Sequence, residues 1–211
     1  MNKAELVKYY NDAINKVRTE KPAIAQVEVK KIDSFETSMG NVVNRLLNPI
    51  VQNSMPGTPD HMSIAKGAEN YNDGNGTYFT GPLKNPVVRE SDVSSINAKK
   101  EGNNYIISLT LGKATNPMND GKDSYSRVMG VATPQEISDD MAQQSLAIAP
   151  SNLTMVYHNG KSNITVNPAG QILKLTSFMN VDANAKDAKL ALFTFDVTVK
   201  QTTTQDYTIT W

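Results

Sequence analysis

The residues that could do chemistry are few, and the two histidines are the first of them. His61 follows Asp60, and a serine-histidine-aspartate arrangement could in principle use this pair. No Gly-x-Ser-x-Gly segment occurs in the chain to expose a nucleophilic serine. His158 lies far along the chain, and two separated histidines do not form a zinc signature. We therefore predict that His61 is an exposed loop residue, that His158 has a surface or capping role, and that the protein is not an enzyme, with a hydrolase as the third alternative.

Carboxylates are the second group with possible chemistry. Glu136, Asp139 and Asp140 lie at positions i, i+3 and i+4 of a predicted helix, where three carboxylates could hold a hard cation. Acidic residues near a helix N-terminus also complement the helix dipole, and this structural role is favoured. Residues 72–76 lack the spacing of a calcium-binding loop. Since the chain also has no cysteine, the sequence predicts no metal, no cofactor and no catalytic residue.

Aromatic residues in a stretch rich in glycine and asparagine are the third group. Tyr71, Tyr78 and Phe79 occur there. Exposed aromatic side chains on loops can stack on sugar rings or anchor a partner. The alternative, which is favoured, is that they fasten the loop to the body of the domain.

Composition limits the classes of partner. The 211 residues carry 21 basic and 21 acidic side chains, spread along the chain without a basic run. This pattern excludes the electrostatic footprint of a nucleic-acid-binding protein. No apolar stretch is long enough to span a bilayer, so no transmembrane segment is predicted. Abundant Asn, Thr, Gly and Ser favour an exported protein, whose leader we expect to have been removed, over the alternative of a cytoplasmic protein.

The first part of the chain, residues 1–53, shows helical periodicity. Apolar residues recur every three or four positions over residues 4–17, which predicts a helix that Pro22 ends. Alternation over residues 23–35 predicts a strand. A second helix follows, with Ser38 as its candidate N-cap. The predicted buried residues of that helix are Val42, Val43, Leu46, Leu47, Ile50 and Val51.

The middle part, residues 54–92, is predicted to be irregular. It is rich in Gly, Asn and Pro, which are the residues of turns. A segment of this length without periodicity is uncommon inside a compact domain and is usually functional or mobile. We therefore expect it to be one place where a specific site would lie.

The third part, residues 93–211, is predicted to form an antiparallel sheet interrupted by one helix. Thr133, followed by Pro134 and by Glu136, is a capping box with proline at the first helical position. This helix is expected to end near Gln144. The strands on either side alternate apolar and polar residues, as expected when one face of a sheet is packed and the other is wet.

Two hairpins are expected within this sheet. Asn159-Gly160 lies between alternating segments and predicts a hairpin turn. Residues 190–200 and residues 207–211 also alternate, and few residues separate them, so they are expected to pair with each other. The side chains expected to pack inward are Phe193, Phe195 and Val197.

Three segments carry a resemblance to a known group of proteins. They are residues 3–11, whose helix Lys21 and Pro22 close, residues 102–109, and residues 163–172. In these segments the chain resembles uncharacterised secreted lipoproteins of Gram-positive gut bacteria. In such proteins one lipid-bearing cysteine lies at the mature N-terminus. The resemblance therefore implies an extracytoplasmic location and cell-envelope anchoring through a removed N-terminal leader.

The order of elements is also similar, more loosely, to lipoprotein-carrier half-barrel folds. In these folds a curved antiparallel sheet wraps around helices and can shelter an acyl chain. Resemblance at the level of the fold does not fix a function. It does imply that an apolar or amphiphilic ligand, such as a lipid, is a candidate partner.

Together these observations predict a single α+β domain over residues 1–211. Its curved, mostly antiparallel sheet would carry about three helices on the concave face. The first functional hypothesis is a surface-anchored or secreted protein that binds an apolar or amphiphilic ligand between sheet and helices. The alternative is an adhesive cell-surface module that recognises protein or glycan through its loops. The predicted ligand-binding residues are Tyr71, Tyr78, Phe79, Met129, Met141 and Tyr157.

Overall fold

The protein is built on one antiparallel sheet, which the computed structural model describes over residues 1–54, 57–68, 83, 87–118 and 120–211. Within these residues the sheet has nine strands. They are β1 (Ala23–Thr37), β2 (Asp60–Ile64), β3 (Val93–Glu101), β4 (Asn104–Leu111), β5 (Ala114–Thr115), β6 (Leu146–Ala147), β7 (Leu153–Val166), β8 (Ile172–Leu190) and β9 (Phe193–Thr210). Seven lie side by side in the order β2-β1-β9-β8-β7-β4-β3, while β5 pairs with β7 and β6 with β8. All of these pairings are antiparallel, which confirms the predicted antiparallel sheet.

Four α-helices accompany the sheet in the described part of the chain, so the fold class is α+β as predicted. They are α1 (Lys3–Glu20), α2 (Asn41–Ser54), α3 (Ser124–Val128) and α4 (Pro134–Gln143). Helix α4 confirms the predicted capping box. The Thr133 side chain accepts a hydrogen bond from the Glu136 amide, and the Glu136 carboxylate accepts one from the Thr133 amide.

Helix α1 forms where the apolar periodicity of the sequence predicts it. Asn2 and Glu5 form a capping box at its start. At its end Lys21 adopts a left-handed conformation with φ 49°, and Pro22 cannot continue the helical hydrogen bonds. The predicted apolar stripe is buried, and its members are Leu6, Val7, Tyr10, Ala13, Ile14 and Val17.

The cap predicted for the second helix is wrong. Helix α2 begins at Asn41, three residues after Ser38. The Ser38 hydroxyl instead accepts a hydrogen bond from the Asp196 amide, at 2.9 Å. Of the predicted stripe, Val43, Leu47 and Val51 are buried. The side chains of Val42, Leu46 and Ile50 lie outside the described set.

The middle part contains a strand that periodicity did not reveal. Strand β2 lies within residues 54–92 and pairs with β1, with Ile24 opposite Ile64. Its five residues, of which three are polar, give too short a pattern to stand out among turn residues. Among the strands of the described residues, β2 is therefore one edge of the sheet.

The hairpin predicted at Asn159-Gly160 is also wrong, because both residues lie inside the continuous strand β7. The pairing of β7 with β8 shifts register between His158 and Lys161, which is a β-bulge. Asn159 has a φ of 55°, the left-handed conformation that asparagine tolerates. The turn that joins β7 to β8 is residues 167–170, where the Gly170 amide donates to the Asn167 carbonyl.

The C-terminal hairpin was predicted in the wrong place. Strand β9 runs without a break from Phe193 to Thr210 and so includes most of the two segments, residues 190–200 and 207–211, that were expected to pair with each other. It pairs instead with β8 on one side and β1 on the other. The hairpin turn lies between β8 and β9, where Leu190 pairs with Phe193 across Ala191 and Leu192. Phe195 and Val197 are buried as predicted, whereas Phe193 is exposed.

The buried apolar side chains form one cluster that includes residues of the helices and the strands. Strand β9 illustrates how the sheet contributes. Its odd-numbered residues from 203 to 209 are buried, while Asp206, Thr208 and Thr210 are exposed. This is the alternation of a sheet with one packed face and one wet face.

Candidate functional site

The turn between β8 and β9 carries exposed apolar side chains. Leu192 is 98% exposed and Phe193 is 49% exposed. Met39, just before α2, is 43% exposed. Its neighbour Ser38 is hydrogen-bonded to Asp196 of β9, which brings Met39 to the same end of the sheet. We call Met39, Leu192 and Phe193 the apolar tip.

The apolar tip extends the core stripe of β9 beyond the body of the protein. Val197 and Phe195 are buried on one face of the strand. Phe193 lies two residues before Phe195 in the strand, so its side chain points to the same face as those of Phe195 and Val197. Its cross-strand partner Leu190 packs partly against the core. The stripe therefore changes from buried at Phe195 to about half-exposed at Phe193.

Hydrogen bonds hold the base of the hairpin in one geometry. Ser38 and Asp196 are joined twice, because the Ser38 amide donates to the Asp196 carbonyl at 3.0 Å and the Ser38 hydroxyl accepts from the Asp196 amide. The Asp196 carboxylate also accepts from the Lys186 ammonium at 2.5 Å and from the Asp187 amide at 3.2 Å. These hydrogen bonds join β9 to β8 and to the segment before α2 at the base of the hairpin.

Charges close to the apolar tip balance one another. The hydrogen bond from Lys186 lowers the pKa of Asp196, and the same bond raises the pKa of Lys186. Both groups are therefore charged at neutral pH and form an ion pair. Lys189 and Asp187 are exposed and carry opposite charges. These four charged residues of β8 and β9 sum to zero net charge.

The described members of the predicted ligand site belong to the core. Met129 and Tyr157 are 3% and 2% exposed, and Met141 is partly buried against the same cluster. The Tyr157 hydroxyl donates to the Ala132 carbonyl at 2.9 Å and accepts from the Ala132 amide at 3.2 Å. Burial raises the pKa of Tyr157 well above its usual range. The other predicted members, Tyr71, Tyr78 and Phe79, lie outside the described residues.

The two histidines lie on different strands and do not form a catalytic pair. His61 is exposed on the edge strand β2 opposite Val27. His158 is opposite Asn180 on β8, and its Nε2 lies 3.3 Å from the Asp182 carboxylate without meeting hydrogen-bond geometry. Among the described residues no three His, Asp or Glu side chains are grouped closely enough to hold a metal ion.

The apolar tip was not predicted from the sequence. The one signal available was residues 190–193, four consecutive apolar residues that interrupt the alternation of the strands. A hairpin turn is normally recognised by Gly, Asn or Pro, and none occurs there. Ala191 takes the left-handed conformation with φ 52°. Such a run on a surface is unusual, because turns favour polar residues.

Comparisons with protein-family models, with curated proteins and with solved structures find no match. None of the helices in the described ranges combines the length and the apolar character needed to cross a bilayer.

Proposed function

We propose that this chain is a binding module that contacts a lipid surface through its apolar tip. The observation that carries the proposal is Leu192, a leucine that is 98% exposed at the end of a long, braced hairpin. An exposed apolar group next to exposed or half-exposed apolar neighbours marks an interaction site more often than an isolated one does. The module binds and does not catalyse.

A lipid surface fits the tip better than a protein partner does. A stable protein interface buries about 800 Å² on each partner. One fully exposed and two half-exposed side chains offer well below that area. A bilayer interface accepts a small protruding apolar group without a shaped recess, because its acyl chains rearrange around the side chain.

The strength of the contact can be estimated from the area that it buries. Full burial of a leucine or phenylalanine side chain stabilises by about 1.5–3 kcal/mol, and Phe193 is already half-buried. The tip therefore contributes about 2–4 kcal/mol. Such a contact is weak and reversible alone, and becomes effective when a second anchor holds the chain at the membrane.

The proposal combines parts of both functions that the sequence suggested. It keeps the apolar or amphiphilic partner of the first hypothesis and the surface loops of the adhesive module. Cell-envelope anchoring and an extracytoplasmic location are part of it, supported by the resemblance to secreted lipoproteins. We also propose that the helices lie on the concave face of a curved sheet, an arrangement supported by the hydrogen bond from α1 to β7 between Tyr10 and Ser162.

Monolayer penetration tests the proposal. The protein is injected beneath a phosphatidylcholine monolayer, and the rise in surface pressure is recorded. The parent chain should raise the pressure, because Leu192 and Phe193 enter the acyl region. The double variant Leu192→Ser, Phe193→Ser should raise it much less. The effect should not depend on salt, since the charges beside the tip are balanced.

Met118 provides a matched control, because its side chain is 51% exposed and lies in another part of the chain. Met118→Ser should penetrate as the parent does. If the double variant penetrates as well as the parent, or if the parent shows no penetration at all, the tip is not a membrane contact. Penetration that requires anionic lipid and vanishes in salt would point to charge instead.

A further inference from the structure

A polar cleft lies between the start of β3, the end of β4 and helix α3. Its volume is about 320 Å³. Its polar lining residues include Ser91, Ser94, Lys113, Asp123 and Ser124. The Ser94 hydroxyl already donates to the Thr110 carbonyl at 2.9 Å, and Asp123 Oδ1 accepts from the Ser126 amide at 2.9 Å. The volume is at the lower end of the range of about 300–1,000 Å³ typical of ligand sites. A cleft with this lining suits a polar ligand of one or two small rings.

A buried ion pair between Arg127 and Asp92 forms the inner part of the cleft, and Arg127 has hydrogen-bond donors that no described residue uses. The side chains of Arg127 and Asp92 are 6% and 5% exposed. Arg127 Nε donates to Asp92 Oδ2 at 2.7 Å, Nη2 donates to Oδ1, and Nη1 donates to the Gly121 carbonyl at 2.7 Å. A guanidinium has five N–H donors. Two therefore have no acceptor in the described part of the chain, and Arg127 lines the cleft.

Charge and hydrogen-bonding capacity select the ligand class. Arg127 and Asp92 neutralise each other, and Lys113 and Asp123 add one charge of each sign. A cleft without net charge favours a neutral ligand over an anion. Its residues offer donors from the guanidinium and the ammonium, the second carboxylate oxygen of Asp123 as an acceptor, and the hydroxyls of Ser91 and Ser124, which both donate and accept. Hydroxyl groups suit such a surface, because each one both donates and accepts hydrogen bonds.

We infer that this cleft binds a neutral saccharide of one or two rings. The sugar hydroxyls accept from Arg127 and Lys113 and donate to Asp123, while the serine hydroxyls complete the hydrogen bonds. The site is separate from the apolar tip and does not depend on the lipid contact proposed there. Its affinity is weak, with a dissociation constant of about 1 mM, because a ligand of this size gains little binding energy per atom.

Nuclear magnetic resonance titration of the full chain tests the inference. The probes are methyl glucoside, methyl galactoside, methyl N-acetylglucosaminide, cellobiose, lactose and chitobiose, each raised to about 10 mM, tenfold above the expected dissociation constant. At least one should shift the backbone amide signals of Ser91, Gly112 and Ser124 in a saturable way. Inorganic phosphate and glycine, added separately, should not.

Gly112 supplies a blocking variant and its control. A Cβ at this position meets no atom within 4 Å, so a side chain can be added without a clash. Gly112→Leu should melt near the parent temperature and lose the saccharide shifts, because the new side chain fills the cleft. Gly112→Ala should keep them. Lys113→Met should weaken binding by removing a donor.

Three results would overturn the inference. The first is that no saccharide of the panel shifts these signals at about 10 mM. The second is that the shifts persist unchanged in Gly112→Leu. The third is that phosphate or glycine shifts the signals while the saccharides do not, which would make the cleft an anion or zwitterion site.

Discussion

The Tyr125 hydroxyl occupies the space that a side chain on Gly160 would need. The hydroxyl oxygen accepts a hydrogen bond from the Gly160 amide at 2.9 Å. A Cβ on Gly160 would lie 2.7 Å from that oxygen and 2.8 Å from Tyr125 Cε1. Gly160 does not have a positive φ, so its requirement for glycine is one of space.

Gly160→Ala should therefore destabilise the protein by about 1–3 kcal/mol, the usual cost of overpacking a buried site. Chemical denaturation measures the free energy of unfolding. Gly112→Ala is the matched control and should be near neutral, because its Cβ meets no atom within 4 Å. If the two variants lose equal stability, the close packing of Tyr125 on β7 is not what Gly160 provides.

The same contact explains why sequence reasoning failed at Asn159-Gly160. The pair is a strong local signal for a hairpin turn. Here Asn159 takes the left-handed conformation within a bulge, and Gly160 admits the Tyr125 ring. Asparagine and glycine occur in bulges as well as in hairpin turns. Here the contact with Tyr125, which is distant in the sequence, distinguishes the bulge from a turn. The sequence contains no local trace of that contact.

Elements whose determinants are local were predicted well. The apolar stripe of α1 and the Thr133–Glu136 capping box lie within a few residues of the helices that they define. The continuous β9 was not predicted, because polar residues 201–206 resemble a loop while the neighbouring β1 and β8 hold them in the sheet. The tip was missed for a related reason, since periodicity identifies apolar residues without telling which of them stay exposed.

The Arg127–Asp92 ion pair should matter strongly for stability at neutral pH. Burial alone would raise the pKa of Asp92, but hydrogen bonds from Arg127 and from the Arg89 amide outweigh it and lower the pKa. Removing one partner leaves a buried charge unpaired. Asp92→Asn should cost about 3–5 kcal/mol of unfolding free energy, measured by urea denaturation at pH 7.

The cost of Asp92→Asn should shrink in acid. A carboxyl whose pKa is lower in the folded state contributes stability that is complete above the unfolded pKa of about 4. That stability is lost as the pH falls through the folded pKa. The unfolding curves of parent and variant should therefore converge below about pH 4. If the difference in unfolding free energy between parent and variant does not change with pH, the partners of Asp92 do not lower its pKa in the folded protein.

Because Tyr10 is buried, the stability of the protein should fall at alkaline pH. Burial raises its pKa from the usual 10.0 to about 12, and the hydrogen bond with Ser162 opposes this only in part. A raised folded pKa contributes stability that is complete below pH 10, the unfolded value, and is lost as the pH rises through 12. Tyr10→Phe should therefore lose less stability than the parent between pH 10 and pH 12.

At neutral pH the parent should be more stable than Tyr10→Phe. Tyr10→Phe leaves the fully buried Ser162 hydroxyl without its partner, which costs about 1–3 kcal/mol. Thermal melts from neutral to alkaline pH compare the two chains. If the difference between them does not change with pH, Tyr10 is not a source of the alkaline loss.

The depth of residue 192 in a bilayer tests the proposed lipid contact most directly. The chain has no cysteine, so Leu192→Cys gives a single position for a polarity-sensitive fluorophore. The labelled chain is tethered through an N-terminal hexahistidine tag to phosphatidylcholine vesicles that contain nickel-chelating lipid. The same label at Met118→Cys is the control. The account predicts a blue-shifted emission and quenching by brominated acyl chains at position 192 but not at position 118. Equal, water-like emission at both positions on the tethered chain would contradict it.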